Sequence, residues 1–591
     1  VLRNAVQLLL RHNQLPDLAA VNAKTPLASV ISPLNTSENG AGAHTTMVVP
    51  PMDMTRENSV DPPDVDEQSE LVPAPMRSLY DLTRIRNLRS NVRRISDIHS
   101  IENDFIGQGI ISQDEAEELF NWYMENVYQL LWAGMLVPHH TLQAARRHST
   151  LLTAAVLTIA AMHAPDRGEA LQKCYNVFAT LTYSTLLSRV NSLDDIRALC
   201  LAAFYLSNLS YKLSGLAVRH AIEMNLHQAY HKLTRGHTEL RDAVRLWYAV
   251  YVCERQFSIA YGRPPLLHED LATANIESFL AHPSTQPGDI RLCAQVALFK
   301  ILTEAYQTFG ADPESPLTEP DFQQLRMFNF AVEQWRLLWQ PRSADSPPIG
   351  SYPSKGIVLY YHFARFQLNS LALRALPPPS AATSEMLSYD RREAANIAIA
   401  AATSTLTLIF EEPDLRRAMT AVPIFTHTLI AFCATFLLKM AKTWGAVGLT
   451  QAASSPEWAE GPIGLGLNFN IAQVLSLSRR SAEFLAKVGE SVSEKHLTRH
   501  IARGIGELLR FFDEKGATSA GGGVVAAPLR KPEVSDPAPG PVESLSDIAV
   551  SGSAVDFGDG YSMYDLIGSY GFGFDESFLG QGAFEPWPAE Q

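Results

Sequence analysis

His227 and His231 stand four residues apart, a spacing that puts both imidazoles on one face of a helix. Two such histidines hold zinc in metalloproteases, where a glutamate follows the first and serves as general base. Here Gln228 takes that place and no third ligand is in sight, so both read as helix-end histidines. His139, His140 and His148 form no stronger set. Asp194 and Asp195 follow Ser192, and first-turn carboxylates behind a serine cap are explained by the positive end of a helix. Gly521 to Gly523 lack the preceding strand of a phosphate loop, and no Gly-x-Ser-x-Gly elbow is evident. Cys174, Cys200, Cys253, Cys293 and Cys433 are scattered without a Cys-x-x-Cys pair, as buried free thiols of a reducing compartment would be. No catalytic, cofactor-binding or metal-ligating residue is expected within the chain.

The elements around these residues are helical. The chain has 591 residues, 46% apolar and 19% charged, with a net charge of −14. That is enough to bury a large core, and the acidic balance argues against nucleic-acid binding by the chain as a whole. Residues 1–75 read as a short helix and a disordered linker rich in Pro, Ser, Asn, Asp and Thr. VLRNAVQLLLRHNQLP makes no signal peptide, and a start at Val1 rather than Met leads us to expect an absent N-terminal part. Residues 76–97 read as a basic amphipathic helix: Leu79, Leu82, Leu88, Val92 and Ile95 form one face, and Arg84, Arg86, Arg89, Arg93 and Arg94 fill the rest. Such a patch could touch DNA phosphates or act as a nuclear import signal; a solvated helix face is the competing reading.

Residues 98–514 read as one large, irregular all-α domain. Ser112 and Glu115 form a capping-box pattern. Further helices are predicted near 140–163, 167–188, 192–208, 212–227, 239–261, 288–309, 319–340, 355–376, 388–410, 423–442, 470–489 and 493–514. The uncharged run Ala421 to Leu438 is borderline in length for a membrane span, but Pro423 and His427 within it favour a buried bundle helix. Residues 515–591 read as a disordered tail with no Lys or Arg from Pro532 onward. In it Asp556, Asp559, Asp565, Asp575, Glu576 and Glu585 alternate with Phe557, Tyr561, Tyr564, Leu566, Phe572, Phe574, Phe578 and Trp587.

Residues 211–270 carry the most specific pattern. In the first helix Leu213, Leu216, Ala217, Ala221 and Met224 make an apolar stripe, and Gly215 and Ala217 are small enough for a neighbouring helix to approach closely. Arg219 and Glu223 are spaced to pair. In the second helix Val244, Trp247, Tyr248, Tyr251 and Ile259 are apolar, while Arg245 and Glu254 are charges in apolar surroundings. Charges so placed are costly unless satisfied, so they are expected to hold inter-helix geometry. Gly262, Arg263, Pro264 and Pro265 end that helix with a left-handed cap and a proline stop. Trp247 and Arg263 are expected to be structural.

SLDDIRALCLAAFYLSNLSYKLSGLAVRHAIEMNLH, followed by RLWYAVYVCERQFSIAYGRPPLLHEDLATANI, resembles the regulatory middle homology region of fungal zinc-cluster transcription factors. The Gly-Leu-Ala-x-Arg-x-Ala pattern falls on Gly215, Leu216, Ala217, Arg219 and Ala221. The family's Arg-x-x-Trp appears as Arg245-Leu246-Trp247, with Arg241 the more distant arginine. Its Gly-Arg-Pro turn ahead of an acidic residue appears as Gly262, Arg263, Pro264 and Asp270, and Glu254 stands where Asp is frequent. The resemblance covers roughly residues 100 to 510 and is specific over 190–275.

The family reads DNA with a six-cysteine cluster holding two zinc ions, and no such cluster occurs in these 591 residues. Zinc and DNA contact are therefore expected only through an upstream segment, either absent from this sequence or never present in a divergent regulator. The resemblance implies a nuclear regulator of RNA polymerase II genes, with a helical domain that controls activity and partners in the transcription machinery. Homodimer formation is also implied, and a membrane is not. The acidic-aromatic tail, with Phe557, Tyr564, Leu566, Phe572, Phe574, Phe578 and Trp587, is the candidate activation segment that recruits coactivators. The alternatives are a scaffold or cofactor protein that never touches DNA and, more weakly, an all-α enzyme.

Overall fold

Hydroxyl, amide and carboxylate caps start many of the helices. Side chains of Ser112, Thr141, Ser149, Ser192, Asp270, Ser388 and Asn470 each accept a backbone N–H of the first turn that follows. They satisfy donors that a helix start leaves without an intrahelical partner. The computed structural model describes residues 104–186, 192–207, 209–310, 312, 315–374, 387–452, 467–468 and 470–520, with the backbone alone over 443–452 and 511–520. The linker 1–75, the basic segment 76–97 with its five arginines, and the acidic-aromatic residues of the tail lie outside the described residues.

The described chain is all-α. In order come α1 (Gln113–Asn126), α2 (Leu142–His148), α3 (Thr150–His163), α4 (Gly168–Thr185), α5 (Leu193–Tyr205) and α6 (Ser210–Glu223). Then follow α7 (Ala229–Thr234), α8 (Arg241–Ala260), α9 (Leu271–Ala274), α10 (Ile276–Leu280), α11 (Pro287–Phe309) and α12 (Glu319–Trp339). The last six are α13 (Tyr352–Ser370), α14 (Tyr389–Glu411), α15 (Pro413–Ala418), α16 (Ile424–Ala452), α17 (Ile471–Glu490) and α18 (Leu497–Ala520). No β-strand occurs among the described residues; Ser346 and Gly350 form an isolated bridge across one turn.

Two predicted elements differ. The segment 140–163 is two helices rather than one. Ser149 adopts φ −156° and ψ 114°, caps α3 through Leu152 N–H at 3.0 Å, and donates its hydroxyl to Asp195 at 2.8 Å. That tertiary bond to the start of α5 fixes the break. The Ser112–Glu115 box is half formed: the serine accepts Glu115 N–H at 3.2 Å, while the Glu115 carboxylate faces Arg167 at 3.5 Å.

Burial sorts the helices into layers. Every residue of α3 is buried, as are most of α5 and α8, so these three form the centre. α1 and α4 pack on α3, α6 on α5 and α8, and α11 on α8. α12, α13 and α14 continue the stack, with α16, α17 and α18 packed together beyond them. Within α16, Ile424–Lys442 is long and apolar enough to span a bilayer but is 94% buried inside the fold, as a bundle helix. α14 passes the same test of length and composition and is 56% buried. Each fully buried large apolar side chain contributes about 1.5–3 kcal/mol, and the central cluster runs through all of these layers.

Candidate functional site

The 211–270 block folds as α6, α7, α8 and the turn into α9, and its buried charges Arg241, Glu254 and Arg255 each have specific partners. The Trp247 ring is buried, and its indole N–H donates to Asp270 at 2.6 Å. Asp270 in turn caps α9 through Thr273 N–H at 2.8 Å. His227, half-buried, lies over Trp247 with ring centroids 6.3 Å apart, and burial lowers its pKa against the opposing pull of Asp270. His231 is exposed on α7, so the two histidines do not converge.

Arg245 is half-buried on α8 and makes a two-pronged contact with Asp289 on α11, at 2.7 and 2.9 Å. The Asp289 hydrogen bond raises the Arg245 pKa. Asp289 is fully buried, and its second task is to accept the Gln286 N–H at the start of α11. Arg241, one turn earlier on α8, lies 3.6 Å from the same carboxylate and stacks on Phe279 at 3.9 Å. It donates to the Phe279 carbonyl at 3.1 Å and to Thr285 at 2.9 Å. Two arginines of α8 thus grip one carboxylate of α11, in the bidentate form that makes such pairs specific.

Glu254 holds the turn. It is 1% exposed, and its Oε1 accepts the Ser258 hydroxyl at 2.6 Å and the Leu266 N–H at 2.8 Å. The Arg255 guanidinium lies 3.4 Å from its other oxygen, donates to the Leu267 carbonyl, and sits 5.0 Å over the Tyr251 ring. Tyr251 donates to Glu269, and burial followed by that bond pushes its phenol well above the usual range. Gly262 takes φ +61°, and the Gly262 and Arg263 N–H groups bond back to Ile259 and Ser258 carbonyls at 3.0 and 2.8 Å. This is the left-handed helix stop. Pro264 is exposed behind it, and the Arg263 guanidinium lies 4.6 Å over the Tyr211 ring of α6.

Two sequence expectations fail in α6. Both Arg219 and Glu223 are exposed, and among the described residues they form no ion pair with each other; Glu223 lies near His220 instead. Gly215 does not admit a close helix: a Cβ there would meet only Leu266 Cδ1, at an ordinary 3.7 Å. Sequence reasoning also missed Asp289, whose context reads only as a helix start, and Arg255, hidden beside Glu254. Asp194 does more than complement a helix end: it accepts from His139 at 2.7 Å and pairs with Arg197, which also reaches Asp242. A further buried pair joins Arg146 to Asp104 at 2.6 and 2.8 Å.

These are architectural contacts, each consumed by a helix start, a helix stop or a helix–helix seam. The cysteines are equally inert. All five are buried on different helices, and burial pushes Cys174 and Cys433 up to about 12. The described cysteines therefore do not fit a zinc cluster, and no group of three or more His, Cys, Asp or Glu among the described residues is placed to hold a metal ion.

The family model of the middle domain of the transcriptional activator of proteases prtT matches residues 109–408, from α1 to near the end of α14. The transcriptional activator of proteases prtT of Emericella nidulans is 47% identical over 596 residues, spanning 98% of this chain and 84% of that protein. No solved structure matches. The grip of α8 on α11 and the stapled Gly-Arg-Pro-Pro turn thus lie inside the matched span, and the chain belongs to the prtT-like family of fungal transcription regulators, which are activators rather than enzymes.

Proposed function

We propose that the chain is a nuclear activator of RNA polymerase II genes, with protease genes among its targets. The helical domain restrains or licenses activity, and the tail 551–591 recruits coactivators. The observation that carries this reading is identity at 47% along nearly the whole chain to an activator of proteases. The tail's chemistry supports it: acidic charge keeps aromatic side chains solvated and available to a coactivator groove. Zinc and direct DNA contact would come from a segment outside this sequence, since its five cysteines are buried thiols on five different helices.

The test is a reporter driven by the chain tethered to a foreign DNA-binding module. Removing 551–591 is expected to abolish most of the output, and unchanged output overturns the role given to the tail. The chain's acidic balance, a net charge of −14, suits a second reading, a scaffold that acts without touching DNA. Untethered, the 591-residue chain would then still raise protease transcripts while bound to a DNA-reading partner, and it would lose that effect when the partner is deleted.

A further inference from the structure

The first turn of α14 carries four charged residues, and three of them are consumed. Arg326 of α12 pairs with Asp390 and, at 3.3 Å, with Glu393. Arg391 donates to the Leu317 carbonyl at 3.0 Å. Arg392 is half-buried and forms no ion pair among the described residues; its guanidinium lies 6.0 Å from the Tyr389 ring. It lines a cleft of about 420 Å³ between α13 and α14. Arg365 of α13 is half-buried in the same cleft, and its partner is a phenol rather than an acid. It donates to the Tyr361 oxygen at 2.9 Å, while the Tyr361 hydroxyl is given to Glu333. Two guanidiniums thus share a cleft whose one acidic residue, Glu393, is already engaged by Arg326. A half-buried charge is stabilised by a counter-charge, and the described residues supply none here.

We propose that this cleft binds a small organic carboxylate with an extended apolar body. Arg365 and Arg392 take the acid group, since a planar carboxylate matches the fork of a guanidinium. The body lies against Ile397, Ala400 and Ala401, which continue the same wall of α14. At 1.5 Å per residue these three stand about 7–14 Å beyond Arg392 along the helix axis, which sets the length of the ligand. That apolar stretch gives a bare anion such as phosphate nothing to fill it. The volume sits near the lower end of the ordinary range for small-molecule sites, about 300–1,000 Å³. His362 of α13 completes the polar end. Burial, with Arg365 and Arg336 adding to it, pushes its pKa down to about 4, so the ring is neutral at ordinary pH and has one N–H to donate. Two sources share this chemistry: a medium-chain fatty acid and the C-terminal end of a short apolar peptide. The inference concerns binding alone and stands apart from the activator reading.

Calorimetric titration of the full 591-residue chain tests it, with octanoate and leucyl-leucine as probes. Two extended residues span about 7 Å, within the length the wall allows. At least one probe is expected to bind saturably at a single site. Arg392→Gln removes a charge that no ion pair holds, so the fold should survive while binding weakens tenfold or more. Arg365→Gln should act alike. Ala400→Trp builds out from an exposed position and should block the apolar end to a similar degree. Octanamide and leucyl-leucinamide keep the body and lose the charge, and each should bind at least tenfold more weakly than its acid. Tighter binding of leucyl-leucine assigns the site to peptide ends, and tighter binding of octanoate assigns it to fatty acids. The proposal is overturned if neither acid binds, or if the amides bind as tightly as the acids. Binding that Arg392→Gln and Ala400→Trp both leave unchanged places the probe elsewhere and overturns it too. Displacement of the bound acid by an equal concentration of inorganic phosphate would show a general anion site and sink the ligand class.

Discussion

Trp247 and Gly215 carry the same family pattern but bear very different loads. The Trp247 ring is buried and its N–H is taken by Asp270, so Trp247→Ala leaves a cavity and strips a half-buried carboxylate of a donor. Large-to-small changes of this kind cost about 3–5 kcal/mol. We expect a loss of that size in denaturant midpoints at unchanged slope, and a loss below ~1 kcal/mol would mean that the ring does not anchor the α8–α9 seam. Gly215 is the opposite case. It lies inside α6 in helical conformation with room for a methyl group, so Gly215→Ala should be neutral or stabilising by up to about 1 kcal/mol. Destabilisation by more than that would show a neighbour closer than Leu266. Arg219 follows the same logic: an exposed arginine with no ion pair among the described residues has little to contribute to folding.

Between elements, the α8–α11 seam depends on a single carboxylate. Asp289→Ala removes the partner of Arg245 and Arg241 together with the bond to the Gln286 N–H. Leaving the buried Arg241 and the half-buried Arg245 facing an apolar gap should cost about 3–5 kcal/mol. Asp289→Asn keeps an acceptor for Gln286 and should lose less. Replacing Arg245 and Asp289 together by leucine and methionine should recover only the share of the loss owed to Arg245, because Arg241 and the Gln286 N–H still lack their acceptor. If Asp289→Ala unfolds at the parental denaturant concentration, the seam is held by apolar packing alone. This seam also marks what the sequence could disclose. Arg245 announced itself as a charge inside an apolar helix, but its partner lies 44 residues on, behind Pro287 and Gly288, where an aspartate signals only a helix start. Long helices with a 3.6-residue apolar period were legible within a few residues. The break at Ser149 was not, since a bond to Asp195 decides it and only the fold brings the two together.

Across the whole molecule, the central and C-terminal helices converge on three buried histidines. His163 ends α3, His427 lies in α16 and His496 precedes α18; their rings pack edge to face with centroids 4.7 and 5.2 Å apart. His163 bonds to the Ile159 carbonyl, His427 to the Met419 carbonyl, and His496 Nδ1 accepts the Thr498 N–H. Tyr205 of α5 packs against His163, and Arg499 and His500 add like charge near His496. Burial is the main cause that lowers the pKa of His163 and of His427 to about 4, and it drives His496 well below its ordinary value. At neutral pH these rings are uncharged both folded and unfolded, and they add no pH dependence. As the pH falls below about 6.5 the unfolded chain takes up protons that the folded core refuses, so stability falls with pH down to about 4, where folded His163 and His427 also titrate. Each histidine contributes a slope approaching ~1.4 kcal/mol per pH unit inside that window. Denaturant midpoints should therefore be level from pH 8 to 7 and drop steadily from 6.5 to 5, above the range in which carboxylates respond. His427→Gln, which can still donate to Met419 without becoming charged, should make that drop shallower. A midpoint that stays level down to pH 5 would mean that protons enter the junction without unfolding it, and that the three helices do not close over these rings.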